Sequence, residues 1–123
     1  MIGKPDAIST KLSHGDSTKG AEIYAAHCSS CHVKRPQDVA TIGPNLWNVL
    51  GRDKASTDFS KYSKIMMAWK GPWSYEDLNT FLAGPTLTTP GVNMEIRGVP
   101  EESERLNLIA YLRTLSDSPA PLP

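Results

Sequence analysis

The feature that most constrains this chain is the run Cys28-Ser29-Ser30-Cys31-His32, which holds both cysteines of the sequence. Two thiols three positions apart and followed at once by a histidine form the pattern of a c-type haem attachment site. Residues three apart lie on one face of a helix, so both sulfurs can reach neighbouring vinyl groups of one porphyrin. The imidazole of His32 then stands where it can ligate the iron. The run therefore predicts one covalently bound haem held by Cys28, Cys31 and His32.

Two other kinds of site share part of this pattern. A redox Cys-x-x-Cys site belongs in a thioredoxin-like strand–helix context and has no histidine directly after the second cysteine. A zinc site needs four ligands, and the further candidates here are His14, His27 or a carboxylate. The position of His32 favours the haem site over both.

Size and composition are compatible with such a site. A length of 123 residues fits one domain, and its 39% hydrophobic share is modest, so a buried porphyrin would supply part of the core. The 13 basic and 13 acidic residues give a formal net charge of zero, which does not indicate nucleic-acid binding. No apolar run approaches the ~20 residues that span a bilayer, and residues 1–6 do not form a signal peptide.

Helical patterns dominate the chain, and no segment indicates a convincing strand. Ser13 or Asp16 can cap a first helix that runs to Cys28. Further helices are predicted over residues 46–50, 58–70, 74–84 and 100–115. The sequence therefore predicts an all-α domain of four or five helices.

Gly20 lies inside the first predicted helix, where glycine costs about 1 kcal/mol relative to alanine. Either the helix begins after Gly20, or another helix crosses it so closely that no side chain fits. The last predicted helix, which contains Tyr111, is the candidate partner, and we favour the crossing.

A haem held by His32 has a second axial position, for which a soft methionine sulfur is suited. Met66 and Met67 have helical core spacing, where methionine usually fills gaps. Met94 lies in a polar, proline-containing loop and is the predicted ligand. The turn at Pro44 could present a carbonyl to the Nδ1 proton of His32, although Gly-Pro by itself indicates only a turn.

The chain resembles the class I cytochromes c of the mitochondrial and cytochrome c2 group over residues 15–115. The resemblance is carried by Gly20, Tyr24, the cysteine run, Gly43-Pro44-Asn45-Leu46, Gly51-Arg52, Tyr62, Trp73, Pro90-Gly91-x-x-Met94 and Leu108-Ile109-Ala110-Tyr111-Leu112. It implies a small single-domain cytochrome c fold in which the helices wrap around one covalently bound haem and the N- and C-terminal helices cross. It also implies thioethers at both cysteines, and axial ligation by His32 and Met94. Arg52, Tyr62 and Trp73 would hold a buried propionate.

The predicted organisation is an N-terminal arm or linker end (1–13), a cytochrome c domain (14–115) and a proline-rich tail (116–123). The predicted function is that of a monomeric single-electron carrier and not an enzyme. Its partners would be a periplasmic donor, either a dehydrogenase or a bc1-type complex, and an acceptor, either an oxidase or another cytochrome. The resemblance implies the bacterial periplasm, with an export signal or membrane anchor missing from this sequence. Two alternatives stay open: a haem c subunit or excised domain of a larger dehydrogenase or oxidase, and a ligand sensor or weak peroxidase.

The chain departs from this group in three places. Phe81 stands where many relatives carry a tyrosine that donates a hydrogen bond near the methionine sulfur. Val92 and Asn93 replace a threonine and a lysine in the ligand loop. The lysines that surround the haem edge in relatives are mostly replaced, at Glu22, His27, Thr41, Thr86 and Asn93. We therefore expect little long-range electrostatic attraction to partners.

Overall fold

The computed structural model describes residues 7–28, 32, 34–35, 45–54, 67–68, 71–84, 98–119 and 121–122. Within them lie a short 3-10 helix, Leu12–His14, and three α-helices: α1, Ser17–His27; α2, Tyr75–Ala83; and α3, Glu102–Thr114. In this part of the chain, extended pairing is limited to an isolated antiparallel bridge between Asp53 and Pro72. The predicted all-α class is confirmed.

The number of helices stays a prediction. The helix expected over 58–70 falls largely outside the described residues, of which Met67 and Ala68 are helical. None of the helices found in the described residues is long and apolar enough to cross a membrane.

α1 begins at a side-chain cap that also joins it to α3. The Oδ1 atom of Asp16 accepts hydrogen bonds from the amides of Thr18 and Lys19, at 2.9 and 3.2 Å. The amide of Asp16 donates to Oδ1 of Asn107 in α3, at 2.8 Å. Of the two predicted caps, Asp16 is therefore the one used, and Ser13 is not.

α1 and α3 cross at Gly20 with their backbones almost in contact. A Cβ atom placed on Gly20 would lie 2.0 Å from the carbonyl oxygen of Asn107 and 2.7 Å from Cβ of Tyr111. Gly15 makes a second close approach, since its Cβ would lie 2.8 Å from Cβ of Ala110. Real Cβ contacts are not this short, so the crossing requires glycine. The predicted crossing of the first and last helices is confirmed.

α2 and α3 start close to their expected positions. The hydroxyl of Ser74 accepts a hydrogen bond from the amide of Asp77, at 3.0 Å, and Gly84 follows the last residue of α2. The capping box is only half formed, because the Asp77 carboxylate pairs with Lys54 instead. Glu101 is the N-cap of α3, so Pro100 precedes the first turn in which it was expected.

The helix predicted over 46–50 is wrong. Residues 45–54 form successive turns, in which Oδ1 of Asn45 accepts from the amide of Trp47 at 2.8 Å. Asn48 has a φ of 60°, a left-handed conformation that ends any right-handed helix. Its amide donates to the carbonyl of Leu115 at the end of α3, at 2.7 Å. A hydrogen bond to a distant element thus replaces the local helical bond.

The described part of the predicted N-terminal arm packs against the domain. Ile8 is fully buried and Leu12 is 4% exposed, and both belong to the hydrophobic core. The amides of Ile8 and Ser9 donate to the Glu76 carboxylate, at 3.1 and 2.9 Å. Residues 7–12 are therefore not a surface arm, because two apolar side chains four positions apart anchor them. The domain boundaries themselves stay predictions.

One buried cation ties α2 and α3 to the segment that precedes α3. Nε of Arg105 donates to Oδ1 of Asn79 at 2.8 Å, and a terminal nitrogen donates to the carbonyls of Val99 and Pro100, at 3.1 and 2.6 Å. Burial lowers the pKa of the Arg105 guanidinium, and nearby Glu102 raises it in part. An arginine keeps its charge at neutral pH, so these are charge-assisted hydrogen bonds.

Replacing Gly20 by alanine is expected to destabilise the protein by about 1–3 kcal/mol, because the added methyl group forces the two backbones apart. Urea unfolding measures the change. The matched control is Glu22→Ala on the exposed face of the same helix, with an expected change within about 0.5 kcal/mol. An equal or higher stability of Gly20→Ala, as helix propensity alone would give, contradicts the crossing.

The change Arg105→Lys is expected to cost about 1.5–3 kcal/mol, because an ammonium group cannot reach three acceptors spread around a planar guanidinium. The same unfolding assay tests it, with the exposed Arg35→Lys as control. Equal stabilities of the two variants would show that the Arg105 hydrogen bonds contribute little.

Candidate functional site

The end of α1 places Cys28, the first cysteine of the run, in the hydrophobic core. The helix ends at His27, and the amide of the following Cys28 donates to the carbonyl of Tyr24, at 2.8 Å. Cys28 is 5% exposed and belongs to the main hydrophobic cluster. The crossing at Gly20, two helical turns earlier, fixes the position of the helix and hence of this sulfur.

His32 is held through both polar atoms of its backbone. Its amide donates to the carbonyl of Cys28 at 3.0 Å, and its carbonyl accepts from the hydroxyl of Tyr24 at 3.2 Å. Tyr24 is 2% exposed and lies in α1, the helix whose C-cap is Cys28. The hydrogen bonds of its amide and its carbonyl therefore fix the position of the His32 backbone relative to α1.

Sequence reasoning identified Tyr24 as an apolar helix position and a family marker, and missed the role of its hydroxyl. The available signal was a tyrosine, which needs a hydrogen-bond partner, on the buried face one turn before Cys28. The aromatic ring has a further contact that joins the site to the helix crossing. The rings of Tyr24 and Tyr111 have centroids 5.5 Å apart, and Nζ of Lys34 lies 5.2 and 5.3 Å from those centroids.

Arg52 and Trp73, two of the residues implied for a propionate, lie side by side. The amide of Trp73 donates to the carbonyl of Arg52 at 2.9 Å, and the Trp73 carbonyl accepts from the amide of Gly51 at 2.8 Å. The Arg52 guanidinium donates to the carbonyls of Asn45 and Trp47, at 2.7 and 2.9 Å. These bonds hold the side chain of Arg52 in the turns of 45–54.

Lys54 is a buried cation that the sequence analysis missed. Its side chain is 1% exposed, and Nζ donates to Oδ2 of Asp77 at 2.9 Å and to the carbonyl of Pro72 at 3.1 Å. The same ammonium group lies 5.2 Å from the ring centroid of Trp73, whose ring is 5.4 Å from that of Phe81. No local pattern marks this lysine, because its partners are 18 and 23 residues away.

The other predicted site residues, Cys31, Pro44, Tyr62 and Met94, lie outside the described residues, so their roles stay predictions. Among the methionines considered as ligands, Met67 is 55% exposed. The described part of the chain contains no group of three or more histidine, cysteine or acidic side chains placed to bind a metal ion.

The residues that are placed fit a covalently bound haem. Such a group is apolar apart from its carboxylates, and it needs a thiol, an axial nitrogen and partners for any buried propionate. Cys28 and Trp73 belong to one apolar cluster, and His32 is fixed beside Cys28. Arg52, next to Trp73, would supply a cation for a carboxylate.

The sequence is similar to known proteins over most of its length. The family model described as cytochrome c matches residues 17–116. A cytochrome c homolog of Bradyrhizobium diazoefficiens is 38% identical over 115 residues, which are 92% of this chain and 62% of the relative. The cytochrome c-type cyt cy of Rhodobacter capsulatus is 38% identical over 101 residues, 82% of this chain and 50% of the relative. A cytochrome c of Theileria parva is 33% identical over 113 residues, 92% of this chain and 95% of the relative.

The match covers the crossing helices, the cysteine run and the Arg52–Trp73 pairing. The chain spans about half to two thirds of the length of the two bacterial relatives. It belongs to the cytochrome c family as a class I c-type cytochrome, a group whose members carry covalently attached haem c.

Proposed function

We propose that this chain is a single-electron carrier of the bacterial periplasm, with one haem c attached at Cys28 and Cys31 and held axially by His32 and Met94. When bound, the haem supplies an iron that gains and loses one electron. The observation that carries the proposal is the fixed backbone of His32, joined to Cys28 and Tyr24 beside a buried thiol.

The residues around His32 would hold the axial nitrogen in place through each electron transfer. Because the Cys28 carbonyl and the Tyr24 hydroxyl occupy both polar atoms of the His32 backbone, the imidazole can move only by rotating its own side chain. A fixed ligand keeps the structural change between the two redox states small. The carbonyl of Pro44 is proposed to restrict the remaining rotation by accepting a hydrogen bond from the Nδ1–H group of His32.

Met94 is proposed as the second ligand on chemical grounds and by comparison with the other methionines. A thioether prefers ferrous iron and raises the reduction potential. In the sequence, Met66 and Met67 have helical core spacing, where methionine usually fills gaps, whereas Met94 lies in a polar, proline-containing loop. Ligation by both His32 and Met94 would leave no open position at the iron for a substrate, and we propose that the protein is not an enzyme.

Arg52, Tyr62 and Trp73 are proposed to bind a propionate of the haem. The described pair already shares backbone hydrogen bonds, and Arg52 is half-buried with its guanidinium fixed by two carbonyls. A carboxylate removed from water requires donors of this kind. Tyr62 would add a hydroxyl from outside the described residues.

The partners are proposed to be redox proteins: a dehydrogenase or bc1-type complex as donor, and an oxidase or another cytochrome as acceptor. The formal net charge of zero and the exposed Glu22 in place of a lysine imply weak long-range attraction. Short-range apolar contact near the haem edge would then position the partner.

A second candidate is a haem c domain of a longer electron-transfer protein. The comparison with the two bacterial relatives favours it, because this chain spans 62% of the length of one and 50% of the length of the other. The mass of the protein isolated from its source separates the two candidates. A polypeptide that adds at most a leader or anchor segment to the 123 residues supports the carrier, and one that adds a further domain supports the domain of a longer protein.

Denaturing mass spectrometry is expected to show the polypeptide mass plus one haem, because two thioethers survive loss of the axial bonds. Changing both Cys28 and Cys31 to serine should remove this added mass, whereas Ser29→Ala should keep it. A wild-type mass equal to the bare polypeptide, or a zinc adduct lost in acid, contradicts covalent attachment.

Met94→Ala is expected to lower the reduction potential and to abolish the sulfur-to-iron band of the ferric spectrum, because the thioether that favours ferrous iron is lost. Absorption spectroscopy and redox titration of the holoprotein measure both. The double change Met66→Leu, Met67→Leu is the control and should retain the band. Retention in Met94→Ala together with loss in the control would move the ligand to the 58–70 segment.

A further inference from the structure

We propose that the buried ion pair between Lys54 and Asp77 helps to set the reduction potential of the haem, with Lys54 as a positioning and charge-bearing residue for Trp73. The inference rests on the proposed function, because it assumes that Trp73 lies at a haem propionate. Its new elements are Lys54 and Asp77, which no sequence motif connects with the site.

The burial of Lys54 distinguishes it from an ordinary surface lysine. Its side chain is 1% exposed, whereas Lys11, which pairs with Glu102 at 3.1 Å, is 46% exposed. Exposed pairs contribute little to stability and have little effect on their surroundings, because water screens both charges. A lysine removed from water must be paired, and its field is weakly screened.

Lys54 is coupled to Trp73 through both its side chain and its backbone. The ammonium group lies 5.2 Å from the Trp73 ring centroid and is fixed by Asp77 and by the carbonyl of Pro72. The amide of Lys54 donates to the carbonyl of Gly71, at 3.0 Å. This hydrogen bond joins segment 51–54 to segment 71–73. Cation–π contact at a desolvated site restricts the orientation of the indole ring.

Among the described residues of this cluster, positive charges outnumber negative ones. Arg52 and Lys54 bring two positive charges, and Asp77, which is 40% exposed, brings one negative charge that water screens in part. Asp53, between the two cations, is exposed. Ferric haem has one more positive charge than ferrous haem, so a buried cation nearby favours the reduced state.

Redox titration of the holoprotein tests the proposal with variants of opposite sign. Lys54→Met, which leaves the negative charge of Asp77, is expected to lower the potential, and Asp77→Asn is expected to raise it. We expect a change of up to about tenfold in the reduction equilibrium constant, which is about 59 mV for one electron. Lys54→Arg should stay near wild type, and Lys11→Met, which removes the same charge from an exposed pair, should not change the potential.

The two directions separate electrostatic control from a purely structural role. Shifts of Lys54→Met and Asp77→Asn in the same direction, or potentials equal to that of Lys11→Met, overturn the inference. If Lys54→Met does not fold, Asp77→Asn alone tests the inference. A reduction potential of Asp77→Asn that is not higher than that of the wild type then overturns the inference. Covalent haem and the ferric methionine band are measured on the same samples. A wild-type protein without haem overturns the proposed function and this inference together, whereas intact haem with unchanged potentials overturns the inference alone.

Discussion

The contact between the backbones of α1 and α3 at Gly20 determines where the site lies. Because no side chain separates the helices, the carbonyl of Asn107 comes within 2.0 Å of the position that a Cβ atom would take. One turn further along α1, Tyr24 packs against Tyr111. One more turn places Cys28 in the core, where its carbonyl and the Tyr24 hydroxyl hold His32. The position of the first thioether and of the axial histidine therefore follows from a helix crossing that touches neither of them.

The parts of the fold that depend on local chemistry could be predicted from the sequence. Asp16 and Ser74 cap their helices, because each accepts a hydrogen bond from an amide two or three residues later. The 46–50 segment could not be predicted, since Asn48 bonds to Leu115, a partner 67 residues away by the difference of their numbers. The segment at Ile8 likewise has a distant partner, since the Ile8 amide donates to the Glu76 carboxylate. A tertiary hydrogen bond overrides local propensity in both cases.

The site divides in the same way. The cysteine run identifies Cys28 and His32 because a covalent haem demands fixed spacing, and the resemblance identifies Arg52 and Trp73. Neither the cysteine run nor the resemblance identifies Lys54. Its neighbours in sequence are Asp53 and Ala55, which suggest an exposed position, and only the pairing of 51–54 with 71–73 brings it to Asp77. Residues that support a site electrostatically are therefore harder to recognise from sequence than those that bond to the cofactor.

In the described part of the chain, the buried Lys54 and Arg105 and the half-buried Arg52 share a reason for their location. Each binds carbonyl oxygens of non-helical backbone: Arg52 those of Asn45 and Trp47, Lys54 that of Pro72, and Arg105 those of Val99 and Pro100. In a helix interior these oxygens would accept from amides four residues later, but turns leave them to find other donors. A long cationic side chain satisfies several at once and brings a charge into the core. The turns that replace the expected 46–50 helix therefore provide the acceptors that keep Arg52 beside Trp73, and irregular backbone is what allows positive charge to be buried at this end of the site.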